Sequence, residues 1–229
     1  MLDMLINGEP LHSYGGSSLL DYTIGETPVD NNILQGINRT SWSLLKSTFG
    51  LRKITVTIVF EGDSLRAAKI QRSRLNGAIF GKCEIYIPED GFFYTAYCDS
   101  MGEETLVGIG EHTAKIKAKY TFVGIRHDAL VSATVAGGVF CASTMPYTDA
   151  RLTATVGTAA ASYQLGGATF ANVAAGDVLT FDGIDKTILK NGVADASGAS
   201  WIHFPALQPG YNAITCPDPV TVEYYPTYI

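Results

Sequence analysis

Three carboxylates, Asp177, Asp182 and Asp185, fall within nine positions of the stretch GDVLTFDGIDKTILKNG at 176–192. A divalent cation or an acid/base pair asks for that density. A calcium loop of the EF-hand kind needs oxygen ligands at alternating positions, a glycine and a late glutamate, and Asp182-Gly183-Ile184-Asp185 does not supply them. Asp182-Gly183 fits a two-residue hairpin turn instead, and Asn191-Gly192 fits one more strongly. The stretch therefore reads as a three-strand meander, its aspartates at strand ends where they solvate exposed backbone.

The other chemistry-bearing residues lack the spacing their chemistry needs. His12, His112, His127 and His203 show no HxH or HExxH pattern and read as surface or turn residues. Cys83, Cys98, Cys141 and Cys216 form no CxxC pair and read as reduced, buried, small apolar side chains; Cys83 and Cys98 flank one turn and could face each other on paired strands. Gly108-Ile109-Gly110 opens like a dinucleotide loop, but it lacks a third glycine and leads into a strand. There is no G-x-S-x-G elbow and no Walker sequence. Asn38-Arg39-Thr40 matches the glycosylation pattern. No catalytic residue, metal or cofactor is expected, and the chain is not read as an enzyme.

Two groups remain as contact candidates. Arg66, Lys69, Arg72 and Arg74 lie on one expected helix, either as a solvated face or as a place for phosphate. Trp201, with His203 and Tyr211 nearby, reads either as core or as a stack for a sugar ring.

The elements that position these residues follow from composition and period. The 229 residues are 46% hydrophobic and 17% charged, with 24 glycines, as in a loop-rich, sheet-dominated protein. A formal charge of −6 argues against a protein whose main task is holding nucleic-acid phosphates. No cationic segment followed by a long apolar stretch opens the chain, and no apolar run reaches the roughly 18 residues of a membrane span; a soluble protein made in a cytoplasm, without membrane insertion, is expected. Up to Leu130 the chain carries 13 of its 16 Lys and Arg and 15 of its 22 Asp and Glu. Beyond it, runs such as ATVGTAAAS take over, which puts a domain boundary near 126–131 and gives domains of 1–128 and 129–229.

In the first domain, KITVTIVFEG alternates Ile54, Val56, Ile58 and Phe60 with more polar positions, the period of a half-buried strand. DSLRAAKIQRSRLNG reads as the one helix, capped by Asp63 or Ser64, striped by Leu65, Ala68, Leu75 and Ile79, and closed by Asn76-Gly77. KCEIYIPEDGFFYTAYC is a hairpin about Pro88 to Gly91. HTAKIKAKYTFVGI sets Lys115, Lys117 and Lys119 on one strand face, solvated or facing a subunit, with Ala114, Ile116, Ala118 and Tyr120 on the other. Residues 25–50 show no clear period and read as an extended arm. In the second domain, RLTATV, SYQLGG, DVLTFD, KTILKN, SWIHF and VTVEYY are short strands between turn signals, the pattern of a small β-sandwich. The fold class is mainly β: an N-terminal β-sandwich-like domain with one α-helix and a β-hairpin, then a β-sandwich.

The order of these segments resembles the distal tail proteins of tailed bacteriophages. The resemblance is carried by GDVLTFDGIDKTILKNG, by FPALQPGYNAIT at 204–215 and by the terminal VTVEYYPTYI. In the first domain it is carried by the Ile6-Asn7-Gly8 turn, the strand ending in F-E-G, the single helix and the I-P-x-D-G-x-x-Y-T hairpin. It covers nearly the whole chain, and its motifs are structural turns and strand ends. It implies a homo-oligomer in which six copies close a ring through their N-terminal domains, joining the tail tube protein to the tail-tip or baseplate hub protein. It also implies an outward, galectin-like C-terminal domain on which receptor-binding proteins dock. DNA would meet the ring only in transit through the lumen, which the −6 charge suggests is acidic or neutral. Location would be the distal tail of the virion, after assembly in the host cytoplasm. On this reading Arg66, Arg72, Lys115, Lys117 and Lys119 are candidates for a subunit interface. The competing reading is a carbohydrate-binding adhesin using Trp201, His203 and Tyr211.

Overall fold

The computed structural model describes residues 3–15, 17–35, 37 and 40–229; the glycosylation pattern at 38–40 lies largely outside them. Two compact units emerge, one of residues 1–127 with Ile229 and one of residues 128–228.

The first unit runs β1 (Leu5–Ile6), β2 (Glu9–Pro10), a 3-10 turn (Leu11–Tyr14), β3 (Ser17–Ile24), β4 (Val29–Gln35), β5 (Trp42–Phe49), β6 (Arg52–Gly62), α1 (Leu65–Ala78), β7 (Lys82–Ile87), β8 (Phe92–Ile109) and β9 (Ala114–His127). Seven strands form one sheet in the order β2-β1-β7-β8-β9-β6-β3, all antiparallel. The alternation in KITVTIVFEG is real. Ile54, Val56, Ile58 and Phe60 point to one face, where Ile116, Ala118, Tyr120 and Phe122 of β9 join them. Ala68, Leu75 and Ile79 of α1 cover that face and complete the core. Each such large side chain contributes about 1.5–3 kcal/mol on leaving water.

Ser64 caps α1, its Oγ accepting from the Ala67 N–H at 3.3 Å. The helix runs past Asn76-Gly77, the expected stop, to Ala78, since Gly77 does not take the left-handed backbone that a glycine stop requires; the Asn76 Oδ1 accepts from the Tyr120 hydroxyl at 2.9 Å. Leu65, expected in the apolar stripe, stands exposed. The Pro88–Gly91 hairpin is present, with Gly91 in left-handed backbone and both Asp90 and Gly91 donating to the Ile87 carbonyl at 3.0 Å.

Residues 25–50 depart most from expectation. Val29–Gln35 and Trp42–Phe49 form a two-stranded antiparallel ribbon, β4 with β5, that joins no other sheet among the described residues. Its residues show no period because neither face is buried, so selection for a core never imposed alternation.

The second unit runs β10 (Val131–Val135), β11 (Gly138–Cys141), β12 (Thr148–Thr155), β13 (Ala160–Leu165), β14 (Ala168–Val173), β15 (Val178–Asp182), β16 (Thr187–Lys190), β17 (Val193–Ala194), β18 (Ala199–Trp201), β19 (Ala206–Leu207), β20 (Gly210–Ala213) and β21 (Val220–Tyr224). One sheet has the order β10-β21-β12-β15-β16-β17, with β19 also on β12; β13-β14-β18 and β11-β20 form the others. Leu152, Phe181 and Val222 from the first meet Leu165, Phe170 and Val173 from the second in one core. The sequence reading missed β10, β11, β14, β17, β19 and β20; four of them are no longer than four residues. It also ran SWIHF on past Trp201, where β18 stops.

Candidate assembly surfaces

The aspartate-rich stretch is structural, though it differs in detail from the turn reading. Strands β15 to β17 form the meander, and Asn191 and Gly192 make a two-residue turn with φ of 55 and 78° between Lys190 and Val193. The first turn is longer than the two residues expected. Asp182 pairs with Thr187, so 183–186 form the loop, and its left-handed residue is Lys186. Gly183 is there for close approach: a Cβ would run into the Pro205 carbonyl oxygen and come within 2.8 Å of the Ala150 carbonyl oxygen.

Asp182 is not solvating exposed backbone. It is 2% exposed. Its Oδ1 accepts from the Ile184 and Asp185 N–H groups at 2.8 and 3.0 Å, and its Oδ2 from Arg151 Nε at 2.6 Å. Arg151 also reaches Asp185 at 2.9 Å and Glu223 at 3.3 Å. One guanidinium thus gathers three carboxylates, and its own pKa is raised, first by the Asp182 hydrogen bond. Asp177 sits in a separate turn network. The Asn191 amide, the Ala174 N–H and the Lys190 ammonium donate to it at 2.9, 2.8 and 3.0 Å and hold its carboxyl down to about 2. Carboxylates bound to donors in this way are turn and strand ties, not a proton-transfer pair.

Two further readings are corrected by burial. His127 is not a surface residue; it is buried, its Nε2 3.0 Å from Thr95 Oγ1 and its ring stacked on Phe93 at 5.9 Å. Cys83 is paired with Ala96 rather than with Cys98, and burial pushes its thiol up to about 11. Cys98 and Cys216 are only half-buried.

The candidate contact residues are scattered. Arg66 is exposed on α1. Arg72 is turned inward, donating to Glu104 at 3.1 Å and to the Gly102 carbonyl at 2.7 Å. Lys115, Lys117 and Lys119 line the open face of β9, where Lys115 pairs with Glu61 at 2.8 Å across to β6. In the second unit, Trp201 leans on Phe204 at 5.8 Å, and Phe204 leans on the core ring of Phe181 at 5.5 Å. His203 is exposed in the segment after β18. Tyr211 belongs to a different sheet, on β20 directly opposite Phe140 of β11, and these two rings are 72% and 69% exposed. Trp201 and Tyr211 therefore stand on separate sheets, and the ring beside Tyr211 is one the sequence reading did not single out.

The sequence reading also missed the exposed apolar surface of the first unit. Ile33, Leu34, Ile37, Trp42, Leu44 and Leu45 of the β4–β5 ribbon and its tip are all at least half exposed, Ile37 at 92%. A lone two-stranded ribbon is marginal in water, and a contiguous exposed apolar patch is unusual on a monomer. Its signal in the sequence was the run of apolar residues without period inside a Gly- and Asn-rich stretch.

No family model and no curated protein matches the chain. Solved structures do. Over 100% of both chains it superposes on the SPP1 Dit protein, described as a hub adsorption apparatus in phages infecting Gram-positive hosts, with a TM-score of 0.74 at 12% identity. Over 98% of both chains it also matches the phage P2 baseplate in its activated conformation, with TM-scores of 0.54 at 10% identity in the calcium form and 0.53 at 9% in the strontium form. The chain has the fold of the phage Dit-like distal tail and baseplate proteins.

Proposed function

We propose that this chain is a structural hub of a phage tail, not an enzyme. The observation that carries the reading is the end-to-end match in fold with the SPP1 Dit hub protein, which spans both units rather than one. In this reading six copies close a ring through the first unit, with the tail tube protein on one side and the tail-tip or baseplate hub protein on the other, and DNA passes through the opening. The second unit, galectin-like in this reading, projects outward as a platform for receptor-binding proteins. The chain belongs to the distal tail of the virion.

The apolar ribbon supports the role. A closed ring of identical head-to-tail contacts needs surfaces satisfied only by a neighbour, and the β4–β5 ribbon with its tip leaves Ile33, Leu34, Ile37, Trp42, Leu44 and Leu45 at least half exposed. Arg66, Lys117 and Lys119 stay as interface candidates, whereas Arg72 contributes by holding β8 to α1. Cryo-electron microscopy of the purified full chain tests the reading: closed six-fold rings support it, and single particles of one copy overturn it. The adhesin reading rests on the exposed Tyr211 and Phe140 rings and on Trp201. Binding on a glycan array that is lost in Trp201→Ala or Tyr211→Ala would favour it over the hub.

A further inference from the structure

We infer that the second unit takes its partner as an added β-strand: an extended, uncharged segment of another protein pairs with the outer edge of β20 and seats an apolar side chain on the Phe140 and Tyr211 rings. The inference rests on the hub reading for its partner, another protein of the tail, and names where on the proposed platform that partner docks.

β11 and β20 form a ribbon of two strands, so each has one edge turned away from the other. The ladder decides which groups lie on those edges. The Ile214 N–H donates to the Gly137 carbonyl at 3.0 Å, which makes 137 and 214 a hydrogen-bonded pair. Hydrogen-bonded and non-hydrogen-bonded pairs alternate in an antiparallel ladder. Gly138 with Ala213 and Phe140 with Tyr211 are therefore non-hydrogen-bonded pairs, and their N–H and C=O groups point outward. The β11 edge is closed at Phe140: the Tyr224 hydroxyl donates to the Phe140 carbonyl at 3.2 Å and accepts from the Ala142 N–H at 3.4 Å. On the β20 edge the Thr215 carbonyl accepts from the Gly166 N–H at 2.9 Å. Past that point the N–H and C=O groups of Ala213 and Tyr211 meet no partner among the described residues.

Native sheets guard an open edge with a charge, a bulge or a proline, and this edge has none of them. Neither 129–148 nor 196–217 contains Asp, Glu, Lys or Arg. The β11–β20 register runs without a shift, and Pro209 stands before the strand, not in it.

The edge is also held in shape. Asn212 ties the turn before it, its Nδ2 donating to the Gln208 and Gly210 carbonyls at 2.7 and 2.9 Å and its Oδ1 accepting from the Gln208 N–H at 2.8 Å. Gly138 leaves room for the Tyr211 ring, since a Cβ there would run into the Tyr211 hydroxyl and come within 2.6 Å of the ring. Tyr211 is thus laid across Gly138 beside Phe140, in the kind of pair that brings side chains closest. A strand added to β20 places one residue in the row of Phe140 and Tyr211, against rings that are 69% and 72% exposed, while its neighbours point the other way. Backbone bonds then supply affinity and the seated side chain supplies choice. Besides the Tyr211 hydroxyl, β11 and β20 carry no exposed side-chain donor for sugar hydroxyls, because Asn212 uses both its N–H groups on the turn.

The probe is a synthetic array of short peptides free of charged residues, alternating apolar and hydroxyl side chains, each beside a twin N-methylated at every second residue. Labelled full chain should bind the alternating peptides and not the twins. Ala213→Pro removes an outward N–H and leaves the ladder to β11 intact, and Phe140→Ser removes an exposed ring. Each should weaken binding by about tenfold or more, with the urea midpoint of the second unit kept. Binding unchanged in both variants, twins bound as well as their parents, no peptide bound, or glycans captured by the rings instead would each overturn the strand addition. A closed ring by native mass with a silent array keeps the hub and removes this docking point; a single copy that binds the array keeps the docking point and removes the hub.

Discussion

Replacing Arg151 by methionine keeps most of the aliphatic stem and removes the cation shared by Asp182, Asp185 and Glu223. Removing one member of a buried ion pair costs about 3–5 kcal/mol, because a charge is left behind without compensation. Asp182 is that charge, with a side chain 3% exposed, but its two backbone N–H donors remain and Arg151 itself is 31% exposed. Both facts lower the expected loss to about 2–3 kcal/mol. Asp182→Asn retains an acceptor for the two N–H groups and leaves Arg151 its other two partners, so it should cost only about 1 kcal/mol. The chain has two tryptophans, Trp42 in the first unit and Trp201 in the second. In a Trp42→Phe background, fluorescence during urea unfolding of the full chain reports the second unit. Arg151→Met should lower the midpoint by roughly 1–2 M at a slope of about 1.5 kcal/mol per M. A shift below about 0.3 M for Arg151→Met, or a shift for Asp182→Asn that exceeds the one for Arg151→Met, would refute the claim that this cluster is a structural tie.

Gly183→Ala should destabilise the second unit by about 3 kcal/mol through its clash with fixed backbone, against about 1–2 kcal/mol for Gly192→Ala, whose difficulty is left-handed backbone alone; the same unfolding assay ranks them. The Asp177 carboxyl, held from 3.8 down to about 2, contributes stability that is present above about pH 4 and lost as pH falls from 4 toward 2; Asp177→Asn should flatten acid unfolding in that window, and an unchanged pH profile would count against the network. Cys83, with its thiol raised to about 11 by burial, should resist a thiol reagent at pH 8 until the chain is unfolded. Ile33→Asp with Leu44→Asp on the ribbon should leave the first unit folded by circular dichroism yet weaken assembly by at least about a hundredfold, from two large side chains no longer buried.

What the sequence disclosed tracks what the physics had to encode locally. Ile54 to Phe60 were legible because one face is buried, and Asn191-Gly192 because left-handed backbone restricts residue type. Gly183 was read as half of a two-residue turn, whereas its constraint comes from Ala150 and Pro205, distant in sequence, and no local pattern carries it. His127 and Asp182 looked like surface residues because their burial depends on Phe93, Thr95 and Arg151, which a one-dimensional reading does not bring near. The ribbon went unread because its apolar residues pair only across β4 and β5 and stay exposed, so no buried face imposes a period on them. Of the contact candidates, the lysine comb was visible from its alternation, whereas the inward turn of Arg72 follows only from where β8 passes α1. The pairing of Phe140 with Tyr211 was equally hidden, since the two strands lie some seventy positions apart.

The central claim is assembly, and native mass spectrometry of the purified full chain across a range of concentrations addresses it directly. Six copies of 24.5 kDa come to about 147 kDa. The account predicts that species, closed and without higher multiples; a mass of 24.5 kDa at every concentration, or an open-ended series, would contradict it.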